Sequence, residues 1–98
     1  MKITLYKYHL YLVMEEENTG KKSFDGIYYF SSNIIGKYHT LEEAREDIKR
    51  YSEEIKNLKP FSNYETVGVE IREILYSPYG DGEISVIRPV ESYKLEEI

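Results

Sequence analysis

The sequence predicts an α+β fold, with a four-stranded, mostly antiparallel sheet in ββαββ order and one amphipathic helix packed on one face. Two stretches with the alternation of strands precede a single stretch with helical periodicity, and two further strand-like stretches follow it. A strong turn signal separates the last two strands. A chain of 98 residues is the size of one domain, so we expect residues 1–98 to form a single α+β domain.

The first predicted strand runs from about Lys2 to Met14 and has apolar side chains on both faces. An antiparallel strand that is half-buried would show polar residues on one side. This strand instead needs cover on both sides, and the chain contains only one convincing helix. One face carries Ile3, Leu5, His9, Tyr11 and Val13, and the other carries Tyr6, Tyr8, Leu10, Leu12 and Met14.

The next segment predicts the rest of a hairpin with a long, charged tip. Residues 15–22 are polar, and Gly20 among them is free to adopt a positive φ angle. A second strand follows over about residues 23–31, where Gly26 indicates a bulge or a close backbone approach. We expect residues 32–39 to be a connector that leads into the helix.

The predicted helix begins after Thr40 and ends before Pro60. Thr40 and Glu43 are the ends of a capping box, in which the Thr40 hydroxyl accepts a hydrogen bond from the Glu43 amide. The opposite face of the helix is charged, and Pro60 cannot continue it. Apolar residues recur at intervals of three and four residues, at Leu41, Ala44, Ile48, Tyr51, Ile55 and Leu58.

Two more strands complete the predicted sheet. The third covers about Thr66–Tyr76, and its phase slips at Glu73–Leu75, where we expect a bulge. Ser77–Gly82 is a strong turn signal, and the fourth strand covers Glu83–Arg88. Pro89 limits that strand and suits an edge position. We expect the acidic tail to be a short helix or an extended segment that lies on the body of the domain.

Charge and composition limit the classes of partner. The net charge is −5, which argues against a protein that tracks the phosphates of nucleic acid. The chain has no cysteine, so it has no disulfide framework, thiolate metal site or cysteine nucleophile. The N-terminal apolar run is too short and too polar to span a bilayer. We therefore expect a cytoplasmic protein without a membrane partner.

No motif predicts a catalytic centre, a metal site or a cofactor. His9 and His39 have no co-ligands at the spacing of a metal site. Pairs of carboxylates such as Glu43 and Asp47 are explained by helix capping and by salt bridges. We therefore expect a protein that is not an enzyme and that needs no cofactor.

Tyrosine is over-used in this chain, with eleven Tyr against three Phe and no Trp. Tyr combines aromatic area with a polar tip and is enriched at interfaces. Because one helix covers one face of the sheet, we expect the other face to bind either a second copy, as a homodimer, or a target protein. Alternatively, the segment from Val90 folds back and covers this face. The predicted interface residues are Tyr6, Tyr8, Leu10, Leu12, Tyr28, Tyr29 and Phe30.

A short string resembles the opening of the GIY-YIG nuclease family, namely Gly26-Ile27-Tyr28 followed by Asn33, Gly36-Lys37 and Tyr38. The resemblance implies metal-dependent cleavage of DNA, with Tyr28 and Tyr38 as the two tyrosines and Arg45 as the helix arginine. The chain departs from the family where His39 and Thr40 follow Tyr38 instead of Ile-Gly. No second helix follows with the expected Glu.

In amino-acid usage, the chain resembles the small orphan proteins that viruses and mobile elements encode, notably those of thermophilic archaea. The features that carry this resemblance are its small size, its many Tyr, Ile, Lys and Glu residues and its lack of Cys. The resemblance implies an accessory protein in a host cytoplasm, such as an inhibitor of a host system. The predicted function is therefore non-enzymatic binding of a macromolecular partner, including a host protein. The alternative is a nucleic-acid-binding or metal-dependent nuclease-like protein.

Overall fold

The structure, a computed structural model, describes residues 5–16, 34–58, 64–80 and 82–98. It contains a four-stranded antiparallel sheet with two helices between the second and third strands, so the predicted α+β class is confirmed. The elements are β1 (Tyr8–Glu16), β2 (Ile34–Tyr38), α1 (Leu41–Arg50), α2 (Ser52–Lys56), β3 (Tyr64–Tyr76), β4 (Ile84–Lys94) and a final 3₁₀ helix (Leu95–Glu97). Across the sheet, the strands lie in the order β2-β1-β3-β4.

Strand β1 lies in the middle of the sheet and is buried on both faces, as its sequence predicts. His9 and Tyr11 are buried on one face. The other face lies beneath the helices and contributes to the main core. Burying one leucine, isoleucine or valine side chain stabilises a fold by about 1.5–3 kcal/mol relative to leaving it exposed. This core consists of Leu10, Leu12, Met14, Ala44, Ile48, Ile55, Val69 and Ile71.

Strand β2 falls where the sequence predicted a connector, and that prediction is wrong. Ile34 and Ile35 are β-branched and Tyr38 is aromatic, and such residues favour strands. The Tyr38 ring lies over Gly36, and a Cβ atom at this position would force the ring to shift. The second strand that was predicted over residues 23–31 lies outside the described residues.

The single predicted helix is divided into α1 and α2 at Tyr51. The φ and ψ angles of Tyr51 are −108° and 22°, which depart from helical values. The backbone hydrogen bonds from Tyr51 to Asp47 and from Ile55 to Tyr51, both 2.9 Å long, still cross this position. The division is therefore a local distortion between two consecutive helical segments.

The start of α1 and part of its apolar stripe match the sequence pattern. The Thr40 hydroxyl accepts a hydrogen bond from the Glu43 amide at 3.2 Å, which confirms the predicted cap. Neither helix, nor any other within the described ranges, is long and apolar enough to cross a bilayer. Of the predicted stripe, Ala44, Ile48 and Ile55 are buried, Leu41 is half-buried, and Tyr51 and Leu58 are exposed.

Strand β4 is longer than the sequence predicted. It continues through Pro89, which lies opposite Arg72 of β3, so the prediction that Pro89 limits the strand is wrong. β4 does lie at the edge of the described sheet, as predicted, and the register shifts beside Pro89. An edge strand tolerates both features because its outer backbone groups need no partner strand. The register shifts again between Leu75 and Tyr76, close to the predicted bulge.

The C-terminal segment lies on the body of the domain, in agreement with the sequence. It is extended as the end of β4 and then forms the 3₁₀ helix. Tyr93, Leu95 and Ile98 pack against the main core. The segment therefore adds cover beside the helices.

Candidate binding surface

The β3–β4 hairpin projects beyond the end of β1. Past the last residue that pairs with β1, β3 pairs with β4 on one side. On its other side it contacts the residues before β1, because the Ile74 amide donates to the Lys7 carbonyl oxygen at 2.7 Å and the Tyr76 hydroxyl donates to the Tyr6 carbonyl oxygen at 2.6 Å. In this part, Leu75 lies opposite Val86, and Tyr76 lies opposite Ile84. We call residues 75–86 the distal hairpin, and the structure describes all of them except residue 81.

The sequence of the turn explains why the distal hairpin closes where it does. Gly80 and Gly82 have φ angles of 70° and 77°, in the left-handed region that glycine adopts without steric cost. The Ser77 amide donates to the Glu83 carbonyl oxygen at 2.8 Å, and the Tyr79 amide donates to the Ser77 hydroxyl at 3.3 Å. The predicted turn is thus confirmed, and it holds Tyr79 at the tip.

Apolar side chains are exposed along the distal hairpin. Leu75 lies on the same face as the helices, because it is an even number of residues from the core residue Ile71. The helices do not cover it, however, and Leu75 and Val86 remain 38% and 48% exposed. Ile84 is 47% exposed and Tyr79 is 88% exposed. Single exposed apolar residues are ordinary, but a group of them on one projecting element indicates a contact surface.

Charged residues lie at both ends of the distal hairpin. At its base, Glu73 accepts a hydrogen bond from Arg88 and forms an ion pair with Lys7, with 3.8 Å between the charged atoms. Two cations and one carboxylate give this base a net charge of +1. Glu83 lies at the turn end, where it interacts within the chain.

The structure places the predicted interface residues in different surroundings. Leu10 and Leu12 are buried beneath the helices, which therefore cover the face that the sequence reserved for a partner. Tyr8 packs against the same core. Tyr6 is half-buried and stacks on His39, with 4.7 Å between ring centroids. A partner contact by these residues stays a prediction, and three further predicted residues lie outside the described residues, namely Tyr28, Tyr29 and Phe30.

The opposite face of β1 is also closed within one chain. His9 is buried, and burial is the main cause that lowers its pKa, with a smaller effect from the charge of Lys37. The Arg72 guanidinium lies 4.5 Å from the centroid of the Tyr11 ring and donates to Glu70. The sequence predicted that one chain could not cover both faces of β1, but both faces are buried around the middle of this strand. This strand no longer supplies an argument for a partner.

The residues of the nuclease resemblance are only partly described. Tyr38 ends β2, and its pKa is raised, first by burial and then by hydrogen bonding to Asp47. The Arg45 guanidinium donates to Glu91 and to Glu42, so internal ion pairs hold it. Within the described ranges, no group of three His, Cys, Asp or Glu side chains is placed to hold a metal ion. The nuclease alternative stays a prediction, and Gly26, Ile27, Tyr28 and Asn33 lie outside the described residues.

A groove of about 480 Å³ lies between β1, β3, β4 and the 3₁₀ helix. Its carboxylates are partly engaged within the chain. Glu70 accepts from Arg72 and from the Ser92 hydroxyl, and Glu97 accepts from the Lys94 amide at 3.2 Å. The distal hairpin is therefore the stronger candidate for a binding surface.

The sequence contains a signal for the distal hairpin, although none of its residues is among the predicted interface residues. Ile74 and Leu75 are adjacent apolar residues in β3, and Val86 and Ile87 are adjacent apolar residues in β4. Adjacent strand residues face opposite sides, so this part of the hairpin is apolar on both faces. Ile74 is buried, whereas Leu75, on the opposite face, is 38% exposed, and the sequence pattern does not distinguish the two.

Comparison with known proteins assigns no family to this chain. No family profile, curated protein or solved structure matches it. Its function is therefore inferred from the exposed apolar side chains of the distal hairpin.

Proposed function

We propose that this chain is a non-enzymatic interaction protein that binds a macromolecular partner through the distal hairpin. The observation that carries the proposal is the exposure of Leu75 and Val86 on one face of the distal hairpin, with Ile84 exposed on its other face. Clustered apolar side chains on a projecting element are typical of protein contact surfaces. Tyr79 at the tip adds an aromatic side chain with a polar end, which is enriched at interfaces.

The size of this surface supports a moderate affinity. Complete burial of an aliphatic side chain contributes about 1.5–3 kcal/mol, and roughly half of each side chain is already covered in the free chain. Association must also offset the loss of translational and rotational freedom. A small apolar patch of this kind therefore suits a reversible contact better than a permanent one.

The amino-acid usage indicates the biological setting of such a contact. A small accessory protein of a virus or mobile element would act in a host cytoplasm on a host protein. The net charge of −5 favours a protein partner over nucleic acid, whose phosphates would be repelled. An inhibitor of this type would act by occupying its target, which requires a binding surface and no catalytic centre.

Affinity capture from a lysate of the source organism tests the proposal. The wild-type chain and the variants Leu75→Asp and Val86→Asp are immobilised, and the retained proteins are quantified by mass spectrometry. We expect the wild type to retain at least one protein. Both variants should retain at least about tenfold less of that protein, because a charge prevents burial of the apolar patch.

Leu58→Asp is the matched control for this experiment. Leu58 is 38% exposed, like Leu75, but it follows α2 and lies outside the distal hairpin. We expect Leu58→Asp to retain the same protein as the wild type. Equal retention by all of these variants would contradict the proposed role of the distal hairpin. Far-UV circular dichroism confirms that each variant is folded.

A further inference from the structure

We propose that protonation of His9 releases strand β2 from β1, so that this edge of the described sheet opens in mild acid. The proposal concerns the pairing of β1 with β2 and is independent of the distal hairpin. It rests on the sheet register, on the burial of His9 and on the short pairing of β2. A histidine suits such a device because its charge changes between about pH 5 and pH 8.

Three nitrogen-bearing side chains form a row across the face of the sheet opposite the helices. The register sets Lys37 of β2 and Arg72 of β3 directly opposite His9 of β1. Like charges at directly opposite positions of neighbouring strands destabilise a sheet. A proton on His9 therefore adds a third cation between two others.

The carboxylate on this face of β3 does not compensate His9. Glu70 lies opposite Tyr11 in the register, and it accepts hydrogen bonds from Arg72 and from the Ser92 hydroxyl. Glu70 therefore offsets the charge of Arg72, and the conflict that remains is between protonated His9 and Lys37. Burial is the main cause that lowers the pKa of His9, and the charge of Lys37 is the second.

His9 has little access to water in the paired state. Its side chain is 5% exposed, and its Nδ1 atom is buried without a hydrogen-bond partner among the described residues. Protonation adds a charge and an N–H donor to a site that is largely closed to solvent. Movement of a neighbouring strand that admits water therefore lowers the free energy of the protonated chain.

Of the two strands beside His9, β2 is the less firmly held. It pairs only with residues 8–11 of β1, and the register shifts beside Leu10, whereas β3 pairs along the whole of β1. β2 also lies at the edge of the described sheet, and β3 lies inside it. Short and irregular edge pairing opens at a lower free energy than central pairing. Opening of β2 also removes Ile35 and Tyr38 from the main core.

Amide hydrogen exchange followed by NMR at about pH 7 and pH 5 tests the proposal, with each rate corrected for the intrinsic effect of pH. We expect the opening constant of the amides in Ile35–Tyr38 to rise at least about threefold from pH 7 to pH 5, because His9 binds its proton more tightly in the open state. Amides of Leu75 and Val86 are the internal control. Local opening of the distal hairpin leaves His9 buried, so their opening constants should stay the same.

Three variants identify the cause of the opening. His9→Gln removes the titrating group, so its β2 amides should open equally at both pH values. Lys37→Glu sets a carboxylate opposite His9, so it should raise the pKa of His9 in an NMR titration and reduce the pH-dependent opening at least about twofold. Lys94→Glu makes the same charge change on β4, at the other edge of the described sheet, and should behave like the wild type.

Three results would overturn the proposal. The first is an opening constant of the β2 amides that is the same at both pH values in the wild type, and the second is a pH effect that persists in His9→Gln. The third is exchange of the β2 amides as slow as that of Val69, which would show that β2 opens only when the whole chain unfolds. If His9→Gln does not fold, the pair Lys37→Glu and Lys94→Glu decides, because equal His9 pKa values in both would reject the role of Lys37.

Discussion

At the scale of single residues, His9 is the buried group whose charge opposes folding. The sheet register sets it opposite Lys37 of β2 and Arg72 of β3, so two cations flank it on neighbouring strands. Its Nδ1 atom is buried and has no hydrogen-bond partner among the described residues. A buried polar atom without a partner costs about 1–3 kcal/mol. The folded chain therefore favours the neutral form of His9.

The stability of the chain should depend on pH through His9. The folded state lowers the pKa of His9 below its ordinary value of 6.5, so the unfolded chain binds this proton more tightly. The loss of folding free energy that results is absent above pH 6.5, where His9 is neutral in both states. It grows as the pH falls below 6.5, until the lowered pKa of the folded state is reached. We expect urea denaturation between about pH 7 and pH 5 to show a steeper loss of stability for the wild type than for His9→Gln.

His39→Gln is the control for this prediction, because it removes the exposed histidine that stacks on Tyr6 and leaves His9 in place. Its unfolding free energy should change with pH as that of the wild type does. Identical slopes for the wild type and His9→Gln would show that burial of His9 does not disfavour its charged form.

At the scale of elements, one ion pair joins helix α1 to the edge strand. Glu91 of β4 accepts hydrogen bonds from Arg45 of α1 and from the Tyr93 hydroxyl. These bonds lower the pKa of Glu91, with Arg45 as the larger cause. The contact lies close to the register shift at Pro89, so it fixes the helix to β4 where the strand pairing is irregular.

Replacing Glu91 by Gln should weaken this connection. We expect Glu91→Gln to lower the unfolding free energy by about 1 kcal/mol near neutral pH, a value reduced from that of a buried charged hydrogen bond because Arg45 is 39% exposed. Since the folded pKa of Glu91 is lowered, its contribution is present above the unfolded value of 4.5 and is lost as the pH falls through the folded pKa. Denaturation at about pH 7 and pH 3 measures both effects.

Glu96→Gln is the matched control, because Glu96 is an exposed carboxylate in the neighbouring 3₁₀ helix. It should change stability by less than about 0.5 kcal/mol. A loss from Glu91→Gln that is no larger than this, or that persists undiminished at low pH, would contradict the role assigned to the Arg45–Glu91 contact.

At the scale of the whole molecule, the strand order predicts a gradient of local stability. β1 and β3 each have a hydrogen-bonded strand on both sides, whereas β4 has one described neighbour. We expect amide hydrogen exchange to be slowest at Leu10, Leu12, Val69 and Ile71, and fastest in the distal hairpin. Exchange followed by NMR over hours measures this gradient.

Much of the fold could be predicted where neighbouring residues determine the structure. The Thr40 cap depends on residues three apart, and the turn at Ser77 depends on two glycines close by. The predictions failed where distant residues decide. Residues 34–38 form a strand because they pair with the edge of β1 that β3 does not occupy. Pro89 stayed within β4 because that strand lies at the edge of the described sheet.

The candidate surface was hidden from the sequence for the same reason. By themselves, the amino acids determined the α+β class, the burial of β1 on both faces and the apolar character of Leu75 and Val86. Only the tertiary structure decided that the helices cover Leu10 and Leu12 and stop short of Leu75. Local sequence patterns indicate which side chains are apolar. The register and relative lengths of elements that are distant in the chain determine which of these side chains remain exposed.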